Sequence, residues 1–348
     1  MSNKEYGKIT IKEVAKLADI SITTVSHYLN GTKSVSAATR SRIKAAITQL
    51  DYLPNANAQS LKQQKTHMVG VIIPDMIIYG FICQHIEMFL YEQGYSVIVC
   101  NTCFDQTREN MQIKALVQKR VDGIIIASSG GNNDLIRSIH ESGIPIILFD
   151  RFFEQLPDLN YVLERSDECL TKIVENALRL GHRRMAYIKG PDNSVVSESR
   201  FKRFREILAE NNIEELPQYY YHNRITQEQC MEAVDHILAH RDDVTVAITT
   251  NANQIKYFAM RCHENGICVP DDISLTGFGV EEYKTLFTIP ISCLIQNHYE
   301  IALHSAKLLM EVIRHKEKHK GLAATKIVYV DSEFFDGKSV KDLRKKDE

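Results

Sequence analysis

Residues Thr10 to Asn30 read TIKEVAKLADISITTVSHYLN and run directly into Gly31. Two short amphipathic helices fit this stretch. Thr10 and Glu13 form a T-x-x-E capping box for the first, and Ile11, Val14, Ala15 and Ala18 recur at helical spacing along one face. Asp19-Ile20 makes a tight break. Ser21 can then cap a second helix, which buries Val25 and Leu29 and ends at Asn30-Gly31.

What this second helix leaves outward at its start is Ile22, Thr23 and Thr24, then Ser26 and His27. A helix-turn-helix sends that end into the major groove, where small polar and apolar side chains meet base edges and thymine methyls. Thr23 and His27 are four apart and share a face. A helix pair at the edge of some unrelated bundle is the alternative. A third helix, SAATRSRIKAAITQL from Ser36, argues against it by closing a small core with Ile43, Ile47 and Leu50 and turning Arg40, Arg42 and Lys44 outward.

Residues 1–62 hold nine Lys/Arg against four Asp/Glu, a net of +5; the rest, 33 against 40, is −7, so the overall −2 hides a basic head on an acidic body. Phosphate binding needs such a head, because lysines and arginines displace condensed counterions. Next comes Asp51-Tyr52-Leu53-Pro54-Asn55-Ala56-Asn57-Ala58-Gln59-Ser60-Leu61-Lys62. Asn55 can cap a helix there, one too short to hold alone in water.

The opening ITIKEVAKLA, the run TVSHYLNG, the VSAATR of the third helix and the segment YLPNANAQSLK together resemble the LacI/GalR family of bacterial transcription regulators. By that resemblance Ile22, Thr23 and His27 read bases, within a DNA-contacting set of Thr10, Ser21, Ile22, Thr23, Thr24, Ser26, His27, Asn30, Asn55, Ala58, Leu61 and Lys62. The last four form a hinge helix in the minor groove with Leu61 as its wedge, a device that spends unstacking energy on a kinked duplex. His27 stands where most relatives have Arg, so a bidentate guanine contact is not expected there and the operator should differ.

The length, 348 residues with 44% hydrophobic content, suits one small and one large unit. The N-terminus shows no charged, apolar leader and the chain no run of eighteen apolar residues, so a cytoplasmic protein without membrane contact is expected. Eight scattered cysteines include one C-x-x-C, Cys100 to Cys103. Cys100 ends a strand instead of opening a helix, and no second pair has zinc spacing, so neither redox chemistry nor a metal is expected. No G-x-G-x-x-G, P-loop or G-x-S-x-G occurs, so no cofactor and no catalysis are expected.

Beyond residue 66 the pattern alternates short apolar strands with amphipathic helices. Val69–Ile73, Val97–Cys100, Gly123–Ala127 and Ile144–Phe149 form one series; Met185–Lys189, Tyr219–Tyr221, Thr245–Thr249 and Ile273–Thr276 form a second. Two such α/β lobes imply a cleft at the carboxyl ends of their strands. The family resemblance resumes here, with lobes similar to periplasmic sugar-binding proteins and a cleft that takes a sugar-type effector. The matched set is Asp75, Asp150, Arg151, Arg200, Asn251, Phe278 and Gln296, with Tyr79 and Phe81 in the loop that replaces the usual S-N-P-F-F.

Ala252 and Gly279 stand where relatives carry Asp. Losing two carboxylates while Arg151 and Arg200 remain predicts an anionic effector, a sugar acid or sugar phosphate; a degenerate pocket is the alternative. Tyr299 to Arg314 should be a long helix returning to the first lobe, and Lys326–Val330 a last strand in the second. The predicted organisation is therefore an N-terminal three-helix helix-turn-helix domain (1–53), a hinge helix and linker (54–66), and a two-lobed periplasmic-binding-protein-like effector domain (67–336). Lobe 1 covers about 67–162 and 295–322, lobe 2 about 163–294 and 323–336, and 337–348 is a charged tail without the leucine heptads of a coiled coil. A homodimer on a palindromic double-stranded operator, its affinity set by the effector in either direction, is the expected regulator, the targets implied by the resemblance being carbohydrate-utilisation genes. A sugar-binding protein with no transcriptional role is the alternative.

Overall fold

The computed structural model describes residues 9–29, 33–52, 65–190, 192, 194–222, 226–319, 321 and 323–344. It divides into two compact units, 1–66 and 67–348.

In the first unit, helices α1 (Ile11–Ala18), α2 (Ile22–Leu29) and α3 (Ala37–Leu50) enclose Val14, Ala15, Ala18, Val25, Ile43, Ala46 and Tyr52. The starts are fixed by side chains. Glu13 accepts from the Thr10 hydroxyl at 2.7 Å and from its amide, Ser21 Oγ accepts from Thr24 N at 3.1 Å, and Ser36 Oγ accepts from Thr39 N at 3.2 Å. Asp19, left-handed at φ 48°, ends α1, and Arg42 locks that corner by donating to the Asp19 carbonyl and carboxylate at 2.9 and 3.0 Å. A charge on the outward face of α3 thus also serves the turn.

The second unit holds two six-stranded sheets, each covered by helices on both faces. In lobe 1, β1 (Met68–Ile73), β2 (Ser96–Asn101), β3 (Gly123–Ile126), β4 (Ile146–Phe149), β5 (Asn160–Glu164) and β11 (Ile327–Val330) run all parallel in the order β11-β5-β4-β3-β1-β2. Lobe 2 orders β12-β10-β9-β8-β6-β7, from β6 (Met185–Ile188), β7 (Tyr220–Tyr221), β8 (Val246–Thr249), β9 (Ser274–Gly279), β10 (Cys293–Ile295) and β12 (Glu333–Phe335). Only β12 is antiparallel among the described pairings. The central strands are buried on both faces, as continuous apolar runs require.

The chain passes between lobes at 164–166, 296–297 and 331–332, the middle passage leading into the long helix His298–His319, which packs on Met76–Glu92 of lobe 1. Two expectations are corrected. The strand at Lys326–Val330 pairs with β5 and so belongs to lobe 1, not lobe 2. The stretch expected as a charged tail is seated on lobe 2 as far as it is described: Ser339 is fully buried, its Oγ donating to the Leu275 carbonyl at 2.6 Å and accepting from Ser292 N at 2.8 Å. No helix among the described residues is long and apolar enough to cross a membrane.

Candidate functional site

In the first unit the start of α2 is exposed at two of the five positions expected to face outward, Thr24 being half-buried. Ile22 is 44% exposed and Thr23 is exposed, while Ser26 and His27 are half-buried further along. Ser21 and Thr24 are committed to each other, their hydroxyls 2.8 Å apart, so they shape the helix start more than they project from it. Thr10, likewise, is the cap of α1. Asn30, Asn55, Ala58, Leu61 and Lys62 lie outside the described residues.

In the second unit the carboxyl ends of both sheets face one another across a cavity of about 80 Å³, lined among others by Tyr79, Asp150, Ser197, Arg200, Asn251 and Gln296. Such a volume holds a few waters, each taking about 30 Å³. A ligand of sugar size therefore needs the lobes to part or these side chains to swing.

Asp150 follows β4 with φ 76°, a left-handed conformation that costs a non-glycine residue about 1 kcal/mol. It is held there by the buried Tyr79, whose hydroxyl donates to Oδ2 at 2.7 Å, and by Arg151 Nη2 at 3.5 Å. Burial first, then the Asp150 charge, pushes the Tyr79 hydroxyl far up, so it remains a donor. Arg151 is 3% exposed, and its Nε and Nη1 have no partner among the described residues. It lines a recess of about 420 Å³ with Asp150, Phe152, Glu164 and Tyr329, which adjoins the central cavity at Asp150.

Arg200 comes from the helix Val195–Glu210, whose first turn is fixed by Ser194. Its Nη1 donates to the Thr250 carbonyl at 2.8 Å, its plane lies 3.7 Å over the ring of Phe278, and Nη2 is 3.7 Å from Glu164 Oε2. Phe278 is fully buried and is a platform for Arg200, not a wall of the cavity. Asn251 reaches the cavity, though its Oδ1 also caps the next helix by accepting from Gln254 N at 3.1 Å. Asp75 does the same for Met76–Glu92, accepting from Ile78 N at 2.9 Å, and is not part of the cavity wall. Phe81 sits beside the cavity, in a groove that shares Ile78, Asn251, Gln296 and His298 with it. It is 46% exposed against His85 and lines this groove of about 650 Å³ with Ile77, Leu286 and Tyr299.

Glu164, which the sequence did not bring forward, sits at the end of β5 and is 7% exposed. Its Oε2 accepts from Gln296 Nε2 at 2.7 Å, and its other oxygen takes the Ser332 hydroxyl. Burial raises its pKa, opposed chiefly by Arg200. Arg200 and Arg151 thus each have a carboxylate neighbour, Glu164 at 3.7 Å and Asp150 at 3.5 Å, and Glu164 did not enter the charge count from which an anionic effector was expected. Gly279 has its own cause: a Cβ on it would lie 2.5 Å from Cys293 Sγ, so this position is closed by packing.

All eight cysteines are free, and the described residues contain no cluster of three potential metal ligands.

The family model described as "Bacterial regulatory proteins, lacI family" matches residues 10–55, and "Periplasmic binding proteins and sugar binding domain of LacI family" matches residues 66–332. Among curated proteins the chain is 29% identical over 339 residues to the HTH-type transcriptional repressor PurR of Mannheimia succiniciproducens, covering 96% of this chain and 99% of that one. It is 27% identical over 313 residues to PurR of Aliivibrio salmonicida, covering 89% and 93%. Among solved structures the lac repressor dimer bound to operator and the anti-inducer ONPF superposes with a TM-score of 0.80 at 21% identity, covering 96% of this chain and 99% of that one.

Proposed function

Because the chain belongs to the lacI family of bacterial regulatory proteins, we propose that it is a cytoplasmic transcriptional repressor, dimeric on a palindromic operator, whose DNA affinity is set by a small hydroxyl-rich ligand between its lobes. The observation that carries this reading is a three-helix unit presenting Ile22 and Thr23 outward, on the same chain as a cleft lined by Asp150, Tyr79, Arg200 and Asn251. The curated relatives above are named as repressors, which supports that sense of regulation. Control of carbohydrate-utilisation genes is the corresponding proposal, supported by the description of the matched domain as sugar binding.

A neutral ligand suits the cleft better than an anion. The two arginines already have carboxylate neighbours, and an added negative charge in a site of low dielectric would be uncompensated. The polar edge meets one apolar and aromatic wall, Ile78, Ile82, Phe104 and Phe149, which would take the flat face of a sugar ring. A dimer is supported by exposed apolar side chains around the 650 Å³ groove, where Ile77 is 74% and Leu286 64% exposed, a patch of the kind that partners cover.

The test is selection of binding sites from random DNA, then titration of the protein on the selected site with neutral sugars, sugar acids, sugar phosphates and nucleobases at fixed salt. A palindrome whose occupancy changes with a neutral sugar is expected. Failure to select any site would overturn the regulator reading, and a response to nucleobases alone would replace the ligand class.

A further inference from the structure

Three passages join the lobes, and one carboxylate touches all three. Glu164 is itself the last residue of β5 at the first passage; Gln296, on the second, donates to its Oε2 at 2.7 Å; Ser332, on the third, donates to its Oε1. The same Oε2 lies 3.7 Å from Nη2 of Arg200, across the cleft on lobe 2. Arg200 has its other terminal nitrogen on the Thr250 carbonyl and one face on Phe278, and its buried Nε has no partner among the described residues. Of the guanidinium's nitrogens, Nη1 is thus engaged, Nη2 faces the Glu164 carboxylate, and Nε is left over beside that same charge.

We propose that Glu164 is the residue that sets the charge class of the ligand: it acts as an internal competitor for Arg200, excluding anions from the cleft and leaving it to uncharged ligands. The competitor is held in place, because Gln296 and Ser332, on the two other passages, each bond one of its oxygens. An anion entering beside Arg200 meets a second negative charge within a few ångströms, in a site where repulsion is poorly screened. An uncharged ligand meets no such opposition and can use the free Nε–H, the Asn251 side chain and the unpartnered Ser197 hydroxyl. Glu164→Gln is nearly isosteric and keeps an acceptor for Gln296 while removing the charge. It turns a balanced Arg200 into an unpaired one.

This inference deepens the proposed function and rests on the cleft as the ligand site, but its test needs neither operator nor natural effector. Full-length protein is titrated by calorimetry with inorganic phosphate at constant ionic strength, in wild type, Glu164→Gln and Glu164→Gln/Arg200→Gln. Wild type should bind phosphate at least tenfold more weakly than Glu164→Gln, a difference of about 1.4 kcal/mol, and the double variant should lose the gain. Ser332→Ala, which frees one oxygen but leaves the charge, should remain like wild type, separating charge from hinge packing. Phosphate binding by wild type as tight as by Glu164→Gln, or a gain that survives in the double variant, would overturn the proposal. If the phosphate result holds and no DNA site is ever selected, Glu164 keeps its role and the regulator reading falls; the reverse pattern keeps the regulator and discards the competitor.

Discussion

Arg200 is fixed by a planar contact with Phe278, a hydrogen bond to the Thr250 carbonyl and the nearby carboxylate of Glu164. A lysine could keep the charge but not the plane and the fork together. Arg200→Lys should therefore abolish the effector response, with ligand affinity falling by about 2 kcal/mol, the usual scale for losing a charge-assisted bond. DNA affinity without ligand should change by less than twofold, and parallel titrations on the selected operator would check both. Asp150 and Asn251 were legible in the sequence because they follow strand ends, where an open parallel sheet places its ligands, whereas Arg200, inside the helix Val195–Glu210, was reached only through the family resemblance. Glu164 was not. An acid after a short strand resembles any other, and its meaning comes from two later passages that bring Gln296 and Ser332 back to it from 132 and 168 residues away. Asp75 and Phe278 illustrate the converse: matched positions can serve the helix start or the floor beneath a ligand residue instead of the wall.

Elements were easier to read than their neighbours. The caps at Thr10, Ser21 and Ser36 depend on residues three apart, so short-range chemistry reveals them. Ser36→Ala removes the acceptor for Thr39 N and should destabilise the first unit by about 1 kcal/mol. Chemical denaturation followed at Tyr28 or Tyr52, by substitution of the other tyrosines or by residue-specific labelling, would resolve this from the lobes. If α2 faces DNA as proposed, Thr23→Ala should weaken specific binding by about 1–3 kcal/mol, the range for one base contact, while nonspecific binding stays within about twofold. Equal losses on both kinds of DNA would remove Thr23 from the reading set. The strand Ile327–Val330 was recognisable as a strand, but not as one of lobe 1. Its run of apolar residues, Ile327 to Val330, carries no label for a partner, which is chosen when the chain closes β11 against β5.

At the scale of the whole effector unit, the last described segment is a structural part of lobe 2, and one histidine joins it to the sheet. His182 is fully buried; its Nε2 donates to the Lys341 carbonyl at 3.0 Å, and Nδ1 pairs with Thr245 Oγ1 at 2.8 Å. A carbonyl can only accept, so Nε2 carries the proton in the neutral ring, and Nδ1, 2.8 Å away, competes with the Arg184 carbonyl at 3.1 Å for the single hydroxyl hydrogen of Thr245. Burial depresses the pKa of His182 below 6.5, outweighing the opposing pull of the Lys341 carbonyl; Arg183 adds to the depression and Asp342 opposes it. His140 and His298 are lowered in the same direction, again by burial first. For a depressed base the unfolded chain binds the proton more readily, so stability is fully present above about pH 6.5 and is lost as pH falls through that value toward the folded pKa. Each such histidine contributes at most about 1.4 kcal/mol per pH unit to the slope. Glu164, raised by burial, acts in the opposite sense, its contribution being greatest in acid and falling as pH rises. The expected outcome is a fall in the unfolding midpoint of the effector unit between pH 7 and pH 5, with a shallower fall in His182→Gln, which keeps a donor but cannot be charged. Melting curves for both proteins across that range decide it: parallel slopes would mean that His182 titrates alike folded and unfolded, and that the segment ending lobe 2 is held by Ser339 and its neighbours without this ring.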